Sequence, residues 1–346
     1  MPGPSLLASW SGPTVAWSAM KAVVLVGGEG TRLRPLTLST PKQMLPVAGR
    51  TVIERVVEHL AGHGVEEVVL SLGYRPDAFL AAFPDGRCQG VKLHYAVESS
   101  PLDTAGAIAF AAREAGITGE TFVVVNGDVL TEIDITALVE FHREREAEGT
   151  IALTPVEDPS RFGVVPVDAT GRVEAFIEKP PASEAPTNMI NAGIYVLEPA
   201  FLERVPKGRR VSVEREVFPA LVKDRRLYAL SSQALWTDMG TPEKYLEANL
   251  AWARTEGALL NEAHPGATVA DSVVYPDARI DEGAHVREAV VLQGAHVRSG
   301  AVVRRSVLGR DVRVGFGAVV DALSVLGDGW EVAAGEILSG ARLPVG

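Results

Sequence analysis

The chain has 346 residues, 47% of them hydrophobic and 22% charged, with a formal net charge of −11. This length and composition support a large buried core and more than one domain, and the acidic balance argues against non-specific binding to nucleic acid or an anionic membrane, which needs a positive field. Cys88 is the only cysteine, which excludes an intrachain disulfide and fits a reducing compartment.

Residues 1–19 contain no Lys or Arg and are interrupted by Pro2, Pro4 and Pro13. A secretory signal needs a basic start and an unbroken apolar stretch. The segment therefore reads as a disordered extension, or as residues ahead of a natural start at Met20. No run reaches the roughly 18–20 apolar residues of a membrane span, and a cytoplasmic location is expected.

From residue 21 to about 234, strand-like runs at 22–26, 67–72, 92–97 and 121–125 alternate with helix-like segments at 52–61, 104–115 and 135–148. In the first helix Ile53, Val56, Val57 and Leu60 share one face. Strands joined by helical crossovers predict an α/β fold with a mostly parallel sheet covered on both faces. Segments 161–167, 173–177 and 190–196 are shorter and predict an added, strand-rich subdomain facing the substrate. A linking helix is expected over 242–261.

Beyond residue 267 the period changes. Val274, Ile280, Val286 and Leu292 recur every six residues, the series resumes at Val297 and Val303, and again from Leu308 through Val314, Val320, Leu326 and Val332 to Leu338. Glycines fall between them. A six-residue period suits the three short sides of a parallel β-helix coil, the alternative being a glycine-rich antiparallel β-domain. The expected organisation is an extension (1–19), a catalytic domain (20–241), a linker helix (242–263) and a β-helix (264–346).

The candidate site begins in LVGGEGTRLRPLTLSTPKQMLPVAG, residues 25–49. Gly27, Gly28 and Gly30 permit a tight turn that presents backbone N–H groups to an anion. The stretch contains neither Gly-x-Gly-x-x-Gly nor the P-loop Gly-Lys-Ser/Thr. Arg32 and Lys42 beside such a turn suit a triphosphate; Arg34 reads equally well as a surface arginine. Asp128 closes the apolar strand in FVVVNGDVL, where ligands bind in open parallel sheets. Asp238 lies in WTDMGT. Either aspartate taken alone reads equally well as a helix cap or turn former. No His/Cys set has zinc spacing.

The opening run, with PLDTAGAI, VVNGDVL, FGVV, FIEKP, INAGIYVLEP, VSVEREVFP and WTDMGTPEKYLEAN, resembles the sugar-1-phosphate nucleotidyltransferases from about residue 21 to 249. INAGIYVLEP and VSVEREVFP look most like the mannose-1-phosphate guanylyltransferase branch. The resemblance implies a Rossmann-like, mostly parallel sheet followed by a C-terminal left-handed parallel β-helix. It also implies an Mg²⁺-assisted in-line attack by a sugar 1-phosphate on the α-phosphorus of an NTP, releasing pyrophosphate. By the same resemblance Arg32, Lys42 and Asp128 would be catalytic, and Asp128 and Asp238 would bind the metal. Leu25, Gly27, Gly28, Gly30, Thr31, Arg32, Glu98, Asp103 and Thr104 would bind the nucleotide; Gly163, Glu178, Lys179 and Asn191 would surround the sugar phosphate.

The choice of base is less sharp. Glu98 can only accept hydrogen bonds, which suits the adjacent N1–H and N2–H₂ of guanine and favours GTP; pyrimidine-using relatives commonly carry Gln there. Asp103 stands where the guanylyl branch usually has Gly, and Gln43 resembles thymidylyltransferases. Thymidylyl or uridylyl transfer, or another sugar such as a glucose, heptose or cyclitol phosphate, remains the alternative. A non-catalytic, ligand-sensing relative is a further reading, opposed by the presence of every charged motif residue. An acyltransferase β-helix would need a histidine between coils; His285 and His296 sit beside inward positions and are expected to face outward. A homo-oligomer is expected.

Overall fold

The computed structural model describes residues 20–73, 76–256 and 263–345; the extension expected over 1–19 lies outside the described residues. Strands β1 (Met20–Leu25), β2 (Val65–Leu72), β3 (Val91–Val97) and β4 (Phe122–Asn126) pair in parallel in the order β3-β2-β1-β4. Helix α1 (Val52–Gly62) follows β1, and α2 (Asp103–Glu114) follows β3. Alternation along β1 serves both faces: Ala22 and Val24 join one core with Val52, Ile53 and Val57 of α1, and Val23 joins another with Ala105, Ile108 and Ala112 of α2. The chain order reverses between β1 and β4, so a crevice opens beyond their C-terminal ends.

Helix α3 (Ile135–Glu144) is shorter than its apolar pattern suggests, because Glu146 turns left-handed (φ 47°) ahead of β5 (Gly149–Pro155). The sheet then becomes mixed. Strand β6 (Met189–Leu197) runs antiparallel to both β4 and β5, and β7 (Leu227–Ser231) runs parallel to β5. Gly163–Val164 and Ile177–Glu178 add a short edge beyond β6. The expected subdomain is therefore an extension of the same ten-stranded sheet. Its register shifts between Asn191 and Tyr195, a bulge that re-aims side chains beside the crevice.

Residues from 268 onward form three stacked sheets of five, five and four short strands, every pair parallel. This is a parallel β-helix of the kind the six-residue period predicts, consistent with the left-handed form. One position needs correction. Val274, Val291, Leu308 and Leu326 stack in its interior, so the coils advance by 17, 17 and 18 residues and the five-residue step falls between Val286 and Val291. Leu292 is not an inward residue: with Val273, Tyr275, Val290, Val307 and Val325 it belongs to the core shared with the first domain. His285 is exposed, and His296 is half-buried and bonded to Asp281 at 2.9 Å.

Helix α4 (Pro242–Glu256) sits between the two halves. Its Tyr245 donates to the Pro46 carbonyl (2.7 Å), and Asn249 Oδ1 accepts from the Ala48 N–H (3.1 Å) and from the Tyr275 hydroxyl (2.8 Å). Burial raises the Tyr245 phenol well above its ordinary range. Among the described residues no helix is long and apolar enough to cross a membrane. Leu308 is fully buried in mid-stack, and Leu308→Ala is expected to destabilise the protein by about 2–5 kcal/mol, measured by denaturant unfolding.

Candidate active site

At the end of β1 the chain cannot continue straight, because β4 exits beside it. The Gly127 N–H donates to the Leu25 carbonyl at 2.8 Å, and a Cβ at Gly127 would lie 2.8 Å from that same oxygen. Only glycine lets β4 cross so closely. The next residue, Asp128, is thereby delivered into the crevice. Gly28 and Gly30 take left-handed φ values of 97° and 62°, turning the chain back over the sheet. The Gly30 carbonyl then accepts from the Thr37 hydroxyl at 2.8 Å.

A single turn of 3₁₀ helix, Thr31–Leu33, carries Arg32 with Leu33 buried beneath it, and a second, Lys42–Met44, carries Lys42. Lys42 Nζ forms a part-buried ion pair with Asp128. Asp238 reaches the same place through a two-stranded ribbon, Trp236–Asp238 on Val129–Thr131, with the Met239 N–H donating to the Asp128 carbonyl at 2.9 Å. A Cβ at Gly240 would meet Arg32 Nη2 and Asp238 Oδ2, each at 2.9 Å, so the guanidinium and the carboxylate converge on that glycine. Four residues from three well-separated segments thus form one charged cluster.

Burial, and then the neighbouring Asp128 carboxylate, raise the Asp238 carboxyl above its ordinary value; Lys42 and Arg32 oppose the shift without cancelling it. Two adjacent half-buried carboxylates with unspent lone pairs form a hard oxygen site that a divalent cation would relieve. Among the described residues no group of three or more His, Cys, Asp or Glu could hold a metal alone.

Beside the cluster lies a cavity of about 470 Å³ lined by Leu25, Gly27, Gly28, Glu98, Asp103, Thr104, Asn126 and Asp128, among others. Glu98 is held on its wall: Oε1 accepts from the Ser71 hydroxyl (3.3 Å) and Oε2 from the Leu102 N–H (2.9 Å). Asp103 adopts φ 62°, the backbone conformation that glycine favours. Its Oδ1 accepts from the Thr104 N–H (2.9 Å) and its Oδ2 lies 3.4 Å from Arg210 Nε. Gln43 is 1% exposed, with Nε2 unpartnered, and is not among the residues lining this cavity.

The sugar-side residues are grouped more loosely. Gly163 pairs with Glu178 across the edge strands, but the space a Cβ would need is filled by the Phe176 ring at 2.5 Å. Internal packing by itself therefore requires glycine at position 163. Glu178 pairs with exposed Lys179 at 2.8 Å. Asn191 accepts from the Gly193 N–H and donates to the Tyr195 hydroxyl, both at 2.9 Å, leaving one N–H and one lone pair free for a hydroxyl.

Several residues of the site escaped sequence reasoning. Glu214 Oε2 accepts from both Thr104 (2.6 Å) and Ser212 (2.8 Å), fixing the start of α2 from a segment more than a hundred residues away. A Cβ at Gly193 would lie 2.6 Å from Asn126 Nδ2, so that glycine makes room for the side chain preceding Gly127. Gly127 and Gly240 stand next to or close behind the two acidic residues, which is the one signal that could have drawn attention to them.

Residues 21–255 match the nucleotidyl transferase family model, and residues 261–344 match the GMPPB C-terminal domain. The chain belongs to the nucleotidyl transferase family. It is 46% identical to a mannose-1-phosphate guanylyltransferase of Mycobacterium tuberculosis, over 68% of this chain and 65% of that protein. It is 39% identical to a mannose-1-phosphate guanyltransferase of Aspergillus oryzae, over 75% and 73% respectively. Among solved structures, HddC from Yersinia pseudotuberculosis complexed with GMP-PN superposes with a TM-score of 0.57 at 29% identity, covering 67% of this chain and 99% of the other.

Because the Asp238 carboxyl is held above its solution value of 3.8, the folded state retains its proton longer than the unfolded state. Ionising it therefore costs stability as pH rises from about 3.8 through the raised value. In metal-free buffer at pH 7, Asp238→Asn is expected to raise Tm, the gain vanishing toward pH 4, as measured by scanning calorimetry.

Proposed function

We propose that the protein transfers a guanylyl group from GTP to mannose 1-phosphate, giving GDP-mannose and pyrophosphate. The observation that carries this reading is the convergence of Arg32, Lys42, Asp128 and Asp238 at the β1–β4 crevice, beside a cavity whose wall presents Glu98. The guanylyltransferase names of the Mycobacterium and Aspergillus relatives support both base and sugar, and the GMP-PN complex of the Yersinia protein supports a guanine nucleotide.

The reaction brings two polyanions together, so catalysis rests on positioning and on compensating charge. The glycine turn receives the triphosphate on backbone N–H groups, and Arg32 neutralises the departing β- and γ-phosphates. Lys42 leaves Asp128 for oxygens of the α-phosphate and the incoming sugar phosphate, whose oxygen attacks phosphorus in line. Asp128 and Asp238 would hold Mg²⁺, which when bound screens charge on the α-phosphate. Glu98, already fixed by Ser71 and Leu102, accepts from guanine N1–H and N2–H₂ through its remaining lone pairs. The free amide capacity of Asn191, with Glu178, serves sugar hydroxyls, and Lys179 the sugar phosphate. The departure at Asp103 does not exclude this base, since its backbone already has the glycine-like conformation.

A matrix of NTPs and sugar 1-phosphates with Mg²⁺, followed by pyrophosphate release, tests the assignment. GTP with mannose 1-phosphate is expected to give the highest kcat/KM; no release from any pair would refute the enzymatic reading, and preference for dTTP or UTP would refute the base. Arg32→Ala and Asp128→Ala should each lower kcat by about 10²–10³. Glu98→Gln should lower kcat/KM for GTP at least about tenfold, since guanine N–H groups would then face an amide donor.

A further inference from the structure

Residues 33–41 join Arg32 to Lys42, and the stretch 35–40 rests on the β-helix. The Ser39 hydroxyl donates to Asp328 Oδ2 at 2.8 Å, and Arg310 Nη1 donates to Thr40 Oγ1 at 3.1 Å. The two β-helix residues are themselves tied together, with Asp328 Oδ1 accepting from the Arg310 N–H at 2.9 Å. Between them the surface is cut back to glycine: a Cβ at Gly327 would lie 3.0 Å from Pro35 Cβ. Leu33 and Leu36 share a core with Leu292, Val307 and Val325. Tyr275 accepts from the Gly49 N–H at 3.4 Å, supporting the stretch beyond Lys42. From this supported segment Thr37 reaches back to the Gly30 carbonyl, linking the β-helix contact to the phosphate turn itself.

The physical consequence concerns pre-organisation. A loop that carries two cations on single turns of 3₁₀ helix has little secondary structure of its own to hold them. Ordering such a loop only when nucleotide arrives would spend binding energy on backbone and side-chain entropy. A rigid solenoid face removes that cost in advance. The contact lies behind the cations, so it acts on their position and not on the substrate.

We propose that the β-helix is a built-in brace for the phosphate-binding loop, with Arg310 and Asp328 as positioning residues for Arg32 and Lys42. The inference rests on the loop's role given under Proposed function. It assigns the second domain a part in nucleotide capture within the same chain.

The test uses the full chain with Ser39→Ala, Arg310→Ala and Thr40→Val singly, the double variants S39A/R310A and T40V/R310A, and Arg310→Lys as the conservative control. None of these groups touches substrate, and the side chains lie at the surface or in a contact that leaves the β-helix turn intact. The S39A/R310A variant is expected to raise KM for GTP about tenfold, the scale of a charge-assisted hydrogen bond, with KM for the sugar phosphate and Tm near wild type. R310K should recover much of the loss, and R310A with T40V together should be no worse than either alone. Wild-type KM for GTP in S39A/R310A would overturn the proposal, as would a fall in Tm and active fraction with KM unchanged. Arg32→Ala run alongside separates the two claims: an inactive R32A with a normal S39A/R310A refutes only the brace, whereas an R32A of wild-type activity refutes the loop's role.

Discussion

The ion pair between Lys42 and Asp128 is the interaction on which the rest of the site depends. It joins the loop after β1 to the end of β4, where the order of the parallel strands reverses. Each partner is costly to bury alone and each is available to exchange its partner for a ligand. The pair therefore stores the site in a charge-balanced form. In the proposed reaction, phosphate would take the lysine and a cation the carboxylate, so that each charge exchanges one partner for another.

Backbone crowding places that pair. Gly127 is needed because β4 leaves the sheet against the Leu25 carbonyl, and Gly240 because Arg32 and Asp238 meet over it. The ribbon that carries Asp238 hydrogen-bonds directly to Asp128 through Met239, so the two acids are held by backbone and not by each other. Burial first, and then the charge of Asp128, raise the Asp238 carboxyl. Stability is given up locally to keep two carboxylates together in a half-buried place, as perturbed groups at functional sites commonly do.

Much of this was legible in the sequence because charge and period are local signals. The β1, β2, β3 and β4 strands, the amphipathic α1 and the six-residue β-helix period all follow from hydrophobic spacing. Arg32 and Asp128 stood out as charges beside glycines or at the end of an apolar run, whereas Lys42 and Asp238 gained their roles chiefly from the motifs that resemble the family. What could not be read were relations between segments. Leu292 fits the hexad by number, yet the coil shortens one side earlier and turns it outward to the catalytic domain. Asp103 looked like the loss of a glycine, but the structure shows the left-handed backbone retained, with Arg210 beside the carboxylate. Gly163 and Glu214 owe their places to Phe176 and Thr104, neither of which is near them in the chain.

If Lys42 guards Asp128, then removing it must expose a better cation site while disabling turnover. The direct measurement is the affinity of Mn²⁺ for the nucleotide-free protein, by electron paramagnetic resonance, in wild type and Lys42→Ala. The account predicts tighter Mn²⁺ binding in the variant together with loss of pyrophosphate release. Unchanged or weaker Mn²⁺ binding, or turnover close to wild type, would contradict it.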